Sequence, residues 1–446
     1  VNPIVRFFSD LFPTGRWYGA IAGAAGLFFF AFFFPIIFPV AQGYTVLLLA
    51  LTIADCLLLF RAKGGVRGHR TLSPRLSLGD NNPVSLSLLN SHSFPVTVKI
   101  IDELPAQFQE RHFNLSTTLR PRSRGSLHYQ LRPTERGAYS FGRLLAYVST
   151  RLKLVERKVV LDKAIEVPVY PSFLHLRQHE LMATSDAAFV GVRRVRRLGH
   201  SLEFETIKEY VPGDDARTVN WKATARRGGL MVNTYTDTRQ QPVYCLLDAG
   251  RVMKMPFDGL TLLDHSINAA LALLRVALLR HDRSGLLVFS NRIGEMVAAD
   301  RAAGQMHRIQ EALYAAQTGY FESDYQALWT HVHRQLPQRS FLLLFTNFET
   351  LAGLNRQLPY LRQLAKRHVL CVVFFQNTLL KKLRESQPET TEGIYIQTIA
   401  DRFDYEKKLI VKELQRHGII ALLTTPKGLT GDVINRYLEL KARQVI

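Results

Sequence analysis

The sequence predicts three successive parts: a transmembrane helical hairpin, an all-β sandwich and a doubly wound α/β domain. Three changes of pattern mark them. Two long apolar runs, 17–38 and 44–60, open the chain. Short alternating runs bounded by Pro, Gly or Asn follow, to about residue 170. Beyond residue 241, short continuous apolar runs alternate with segments of helical spacing. A chain of 446 residues is also too long for one typical core and suggests about two or three domains.

After a segment 1–16 expected to be cytoplasmic, residues 17–38 carry no charge and 44–60 carry only Asp55. Each run is long enough to cross a hydrocarbon layer as a helix. A cleaved signal peptide has one shorter run, so two runs joined by the turn 39–43 predict a two-helix hairpin over 17–60. Arg6 and Arg16 precede it, Arg61, Lys63, Arg67 and Arg70 follow it, and the turn PVAQG has no basic residue. Excess Lys and Arg stay on the cytoplasmic side, which predicts both termini there. Gly19 with Gly23 and Ala50 with Ala54 place small residues on one face of each helix, where the two helices are expected to meet. Asp55 is expected to pair with Arg16 or Arg61 at the interface.

Residues 61–75 read as a basic linker. Over 76–170, Val84, Leu86 and Leu88 alternate with serines, Val96, Val98 and Ile100 with Thr97 and Lys99, and Leu127, Tyr129 and Leu131 with polar neighbours. Period-two alternation of this kind predicts half-buried strands of a sandwich. Residues 171–242 form a charged segment considered below. In 243–446 the runs 243–247, 285–289, 341–345, 369–375 and 419–423 fit strands buried on both faces of a largely parallel sheet. Helices are predicted over 260–279, 306–316, 353–366, 405–416 and 429–442. In such domains binding sites lie at the carboxyl ends of the strands.

The formal net charge is +20. A basic protein held at a membrane is attracted to anionic lipid headgroups, whereas a basic soluble one more often binds nucleic acid; the anchor favours lipid. Arg193, Arg194, Arg196 and Arg197 form a compact cluster able to meet phosphate. Cys56, Cys245 and Cys371 have no paired spacing, which suits a reducing compartment. No Walker-type phosphate loop or HExxH stands in the sequence, and the 14 histidines form no spaced metal set.

The densest signature is 200–229, HSLEFETIKEYVPGDDARTVNWKATARRGG. Pro212 and Gly213 set a turn, Asp214 and Asp215 follow it, and Arg217, Trp221, Lys222, Arg226 and Arg227 come next. Its acids and bases nearly balance, so it reads either as a salt-bridge network bracing the fold or as a partner-facing surface, with Trp221 as a packing anchor. This stretch resembles the defining motif of the domain of unknown function 58 family, whose members look like membrane-anchored proteins ending in a von Willebrand factor A-like domain. The resemblance implies an immunoglobulin-like sandwich after the hairpin, and a partner in a MoxR-type AAA+ ATPase. It also implies a divalent-ion site built on a first-strand Asp-x-Ser-x-Ser. Asp248 matches that motif, but Gly250 and Val252 occupy the serine positions and Asn347 stands where a later Asp belongs, so no functional metal and no cofactor are expected. The expected function is a non-enzymatic, membrane-anchored adaptor or scaffold that presents a protein-binding domain. Its contacts are expected among Arg193, Arg194, Arg196, Arg197, Asp214, Asp215, Arg217, Trp221 and Arg226. Two alternatives remain: a phosphate-polymer or nucleic-acid binder using the arginine cluster, and a cryptic hydrolase using Asp214, Asp215 and His200.

Overall fold

Proline positions set the shape of the amino-terminal hairpin. The computed structural model describes residues 3–61, 65–110, 113–172, 202–211, 214, 216–237, 241–377 and 390–446. The chain opens with helix α1 (Pro3–Asp10) and strand β1 (Leu11–Pro13), followed by α2 (Gly15–Phe33). Pro35 lacks an N–H and its ring clashes with the preceding turn, so α2 stops and a single 3-10 turn (Pro35–Ile37) leads into α3 (Phe38–Arg61). The reversal thus falls at 34–37 rather than at the expected 39–43, because Pro39 lies in the first turn of α3, where a missing N–H is harmless. Moving the turn changes which residues of α3 face α2. Ala24, Ala31 and Ala41 are buried and the Tyr44 hydroxyl donates to the Ala20 carbonyl at 3.2 Å. Of the expected small-residue stripe only Gly23 faces the other helix, where a Cβ would meet the Tyr44 hydroxyl at 3.6 Å; Ala50 and Ala54 are exposed and Gly19 faces open space. Both helices are long and apolar enough to span a membrane.

The chain divides into two compact units, Val1–Tyr170 and Pro171–Ile446. In the first, α3 leads into β2 (Val66–Thr71), β3 (Leu76–Ser77), β4 (Asn82–Asn90), β5 (Val96–Asp102), β6 (Asn114–Leu119) and β7 (Arg124–Leu131). Next come β8 (Gly137–Phe141), β9 (Leu144–Ser149), β10 (Val155–Asp162) and β11 (Ile165–Tyr170). They form sheets ordered β1-β10-β9-β5-β6, β2-β4-β7 and β3-β11-β8. The alternation is legible in β4, where Val84, Leu86 and Leu88 point inward, and in β5, where Val96, Val98 and Ile100 do. The segment 61–75, expected as a linker, supplies strand β2. Its Arg70 is a buried ion-pair partner of Asp102 at 2.5 Å, and Tyr129 donates to the same carboxylate at 2.5 Å, so one network joins β2, β5 and β7. Burial nevertheless raises the Asp102 carboxyl above its ordinary range, against the pull of Tyr129 and Arg70.

The hairpin is tied to this β-rich region through Asp55. Its side chain is 0% exposed and does not pair with Arg16 or Arg61. One oxygen accepts from the Thr150 hydroxyl at 2.5 Å, the other from the amides of Leu154 and Val155 at 3.1 and 3.2 Å. Fixed donors at the start of a strand satisfy a desolvated carboxylate without the entropy cost of ordering a long arginine. Nearby, Arg157 donates to the Leu59 carbonyl at 2.9 Å and lies over the Phe60 ring. From the other side, β1 pairs antiparallel with β10, and the Thr14 hydroxyl donates to Lys153 O at 2.6 Å.

The second unit begins with an antiparallel ribbon, β12 (Leu202–Glu209) and β13 (Met231–Asp237), whose connection carries helix α4 (Trp221–Arg227). Then follow β14 (Pro242–Asp248), a small ribbon β15 (Pro256–Phe257) and β16 (Leu260–Thr261), and α5 (Leu262–Leu279). β17 (Arg283–Phe289), β18 (Ile293–Asp300), α6 (Gln305–Ala315), α7 (Tyr325–Gln335) and β19 (Phe341–Phe345) continue the chain. It ends with α8 (Leu351–Arg367), β20 (Val369–Phe375), α9 (Thr391–Arg416), β21 (Ile420–Thr424) and α10 (Leu429–Ala442). The sheet order is β18-β17-β14-β19-β20-β21, parallel throughout except for the edge strand β18. One face buries α5, α6 and α10, the other α7, α8 and α9. α5 has the length and apolarity of a membrane span, but it lies inside this core.

Replacing Asp55 by Ala leaves the Leu154 and Val155 amides without acceptors, at about 1–3 kcal/mol for each buried unsatisfied group. Hydrogen exchange at these two amides is expected to accelerate on the order of 100-fold, with exchange in the α/β sheet unchanged.

Candidate functional site

The strand order places β14 first in the chain but third in the sheet, with β17 on one side and β19 on the other. The order reverses between β14 and β19, and in open α/β sheets the crevice at the carboxyl ends of such a pair is where ligands sit. Asp248 ends β14, and Thr346 and Asn347 follow β19.

Asp248 is fully buried and its carboxylate is surrounded by donors. One oxygen accepts from the Gly250 amide at 2.8 Å and from the Ser323 hydroxyl; the other accepts from Thr346 at 2.7 Å and Tyr325 at 3.3 Å. Burial still lifts the carboxyl above its usual range, against these four bonds, and it lifts the Tyr325 hydroxyl strongly as well. The expected remnant is therefore a closed hydroxyl cluster. At Gly250 a Cβ would stand 2.1 Å from Ser323 Oγ, so the space a serine would need is taken by Ser323. Val252 lies in a short 3-10 turn and packs against the core.

Where a second carboxylate was expected, Asn347 instead accepts from an ammonium. Lys407 Nζ donates to Asn347 Oδ1 at 2.7 Å and to the Phe348 carbonyl at 2.5 Å. The side chain is buried, and among the described residues no carboxylate lies within ion-pair distance of it. Burial draws its pKa from the ordinary 10.5 to about 8, with Glu349 acting the other way. A hard divalent cation needs several anionic or neutral oxygens free to turn toward it. Here one carboxylate is already saturated and the neighbouring oxygen faces a fixed positive charge, so these residues do not fit such an ion. Among the described residues, no group of three or more His, Cys, Asp or Glu side chains is placed to hold a metal.

The signature residues form a separate small structure on the β12–β13 ribbon. Asp214 accepts from Lys208 at 2.7 Å and from the Val211 amide at 3.1 Å. The Asn220 side chain caps α4 through the Ala223 amide at 3.0 Å, Thr224 accepts from the Met231 amide at 3.0 Å, and Gly228 closes the helix at φ 71°. Only glycine takes that conformation without strain. With the backbone tied this firmly, Trp221 is 72% exposed, contrary to its expected packing role. Lys222, Arg226 and Arg227 on the same helix are also exposed, as is Arg217 before it. Arg193, Arg194, Arg196, Arg197, His200 and Asp215 lie outside the described residues, as do Pro212 and Gly213.

Sequence reasoning missed Lys407, though a signal exists. Ala400, Phe403, Lys407, Ile410 and Leu414 recur at spacings of three and four, so the lysine interrupts the apolar stripe of α9. Ser323 and Tyr325 flank the α7 cap Asp324 and carry no such mark.

Fold and site together define a protein with two apolar helices able to span a membrane, a β-rich region and a parallel-rich α/β domain whose sheet edge is hydrogen-bonded from within. The sequence model of the family described as "Protein of unknown function DUF58" matches residues 206–412, from within β12 to within α9. A curated relative, the uncharacterized protein YeaD of Bacillus subtilis (strain 168), is 23% identical over 180 residues, 39% of this chain and 45% of that protein. The match thus spans less than half of the relative's length. Among solved structures, the CARDB domain of the PF1109 protein from Pyrococcus furiosus is 15% identical. It covers 23% of this chain and 86% of that one at a TM-score of 0.17. Native alpha-2-macroglobulin from Escherichia coli is 15% identical over 24% of this chain and 16% of its own, at a TM-score of 0.19.

Gly250→Ser should lower stability by about 1–3 kcal/mol, because Ser323 must leave Asp248 to make room. Ser323→Ala in the same chain should recover part of that loss, read as a non-additive double-mutant cycle in chemical unfolding.

The Lys407 shift also has a signed consequence. The folded chain releases this proton near pH 8 and the unfolded chain near 10.5, so between those values the unfolded state binds more protons and stability rises with pH. Below pH 8 the full penalty, about 3 kcal/mol, is present. Unfolding midpoints followed by Trp329 fluorescence should climb from about pH 8 to 10 in the wild type. That climb, taken as a difference, should vanish in Lys407→Met.

Proposed function

We propose that this chain is a non-enzymatic, membrane-anchored adaptor or scaffold, which presents a von Willebrand factor A-like, protein-binding domain to a MoxR-type AAA+ ATPase during assembly or maturation of envelope or other complexes. In this reading the hairpin lies in a bacterial inner membrane with both termini cytoplasmic, and the immunoglobulin-like β region acts as spacer. Anionic headgroups attract the basic chain, and nucleic acid is not its partner.

One observation carries the reading: an exposed tryptophan on a capped helix. Trp221 stands out from α4, the helix that also carries the exposed Lys222, Arg226 and Arg227, and Tyr210, Val211 and Leu230 are exposed at the same end of the ribbon, where the Tyr210 amide donates to Leu230 O at 2.8 Å. A large aromatic held in water on a structured segment that also carries arginines has the composition of a binding hot spot. Asp214 supports the division of labour, since its pairing with Lys208 makes it a brace and leaves the outward residues for recognition.

Trp221→Ala and Arg226→Glu should each abolish co-purification of the detergent-solubilised chain with a MoxR-type ATPase. Both changes are at exposed positions and should move the melting temperature little, since surface substitutions stay within about 0.5 kcal/mol. A wild-type chain that retains no such ATPase would overturn the partner assignment.

A further inference from the structure

Beside Lys407 the α/β domain contains a cavity of about 330 Å³. It opens at the carboxyl edge of the sheet, beyond the ends of β19 and β20. Met255, Phe257, Phe375 and Phe403 give it an apolar wall, while Lys407, Asn347 and Glu349 stand at its polar side. The volume is at the small end of the range for small-molecule sites, which are mostly apolar with a few fixed polar groups.

The polar side is chemically unfinished. An ammonium has three N–H donors, and Lys407 spends two on Asn347 Oδ1 and Phe348 O. Among the described residues no oxygen or nitrogen acceptor is given to the third, the Phe374 ring centroid lies 5.7 Å from Nζ, and no carboxylate stands within ion-pair distance. A buried cation without a counter-ion is costly, and an anion arriving from outside would relieve that cost. Two carboxylates, Asp404 and Glu349, also line the cavity and would repel an anion unless paired or screened. Asp404 on α9 is tied to Lys408 at 2.9 Å and accepts from Gln376 at 3.3 Å, and Glu349, past the end of β19, is exposed to solvent. Gln376 and Asn377, after β20, carry no charge.

We propose that this cavity binds a small amphiphilic carboxylate, its apolar body against Phe257, Phe375 and Phe403 and its anionic head on the third N–H of Lys407. A free acid offers that chemistry, and so does the carboxyl terminus of a peptide ending in an apolar residue. The site is distinct from the Trp221 surface, so its fate does not depend on the partner proposed above.

The full chain in nanodiscs would be titrated with 4-phenylbutanoate, with N-acetyl-alanyl-phenylalanine and with the neutral amide of each. A charge-assisted bond should make the preferred acid about tenfold tighter than its amide near pH 7. Whichever acid shows the larger preference identifies the source, free acid or chain terminus. Both probes stay ionised at higher pH, whereas Lys407 loses its proton around pH 8, so the preference should collapse to about twofold or less near pH 10. Lys407→Met should bind acid and amide alike. Two results would overturn the proposal: equal binding of acid and amide by the wild type near pH 7, or a preference that persists near pH 10. The pH arm uses the unaltered chain, so it decides the matter even if Lys407→Met fails to fold.

Discussion

An ionisable group taken out of water must find its partners within the protein, and five such groups, at four places, organise the described part of this chain. Asp55 joins the apolar helical hairpin to the start of β10. Arg70 and Asp102 hold β2 against β5. Asp248 draws together the ends of β14 and β19 with the residues that open α7. Lys407 fixes α9 to the residues beyond β19. In each case hydrogen-bond donors or acceptors are supplied by elements distant in sequence, so the polar group dictates where the apolar layers meet. Apolar burial supplies most of the stability but is non-directional, and it would accept many registers; the buried charges accept few.

The architecture was legible because it rests on local pattern. The runs 341–345 and 369–375 and the helix 429–442 coincide with β19, β20 and α10, since continuous apolar runs and 3.6-residue spacing report burial directly. What failed did so for reasons of distance. The partners of Asp55 lie about a hundred residues away, and nothing near Asp55 distinguishes an amide at position 154 from an arginine at 61. Arg70 looked like one more linker cation because its counter-charge, Asp102, belongs to another strand. β18 and α7 were missed for different reasons: β18 is an edge strand with half-exposed alternation, and α7 is a short helix with a narrow apolar face.

The site was legible only in part. Asp248 and Asn347 were read as remnants of an ion site, and their positions at the strand ends follow from the strands themselves. That their oxygens are already engaged from within required Ser323 and Tyr325, which flank the α7 cap, and Lys407 on α9, from two later segments. Trp221 failed in the opposite sense. Large aromatics are usually buried, and only the close tethering of α4 by Asn220, Thr224 and Gly228 explains how one is held outside.

The pairing of β1 with β10 has a consequence for biosynthesis. Leu11 precedes both apolar helices, yet its partner Arg157 follows them by nearly a hundred residues. At about 5–20 residues per second, the ribosome needs roughly 7–30 s to travel from one to the other. During that time the apolar helices are already made while the β1 backbone and the Asp55 carboxylate both wait without their partners. The nascent chain therefore passes through a stage in which an unpaired strand edge and an unsatisfied charge flank two apolar helices. Closing the 150–157 region onto them ends that stage for both at once.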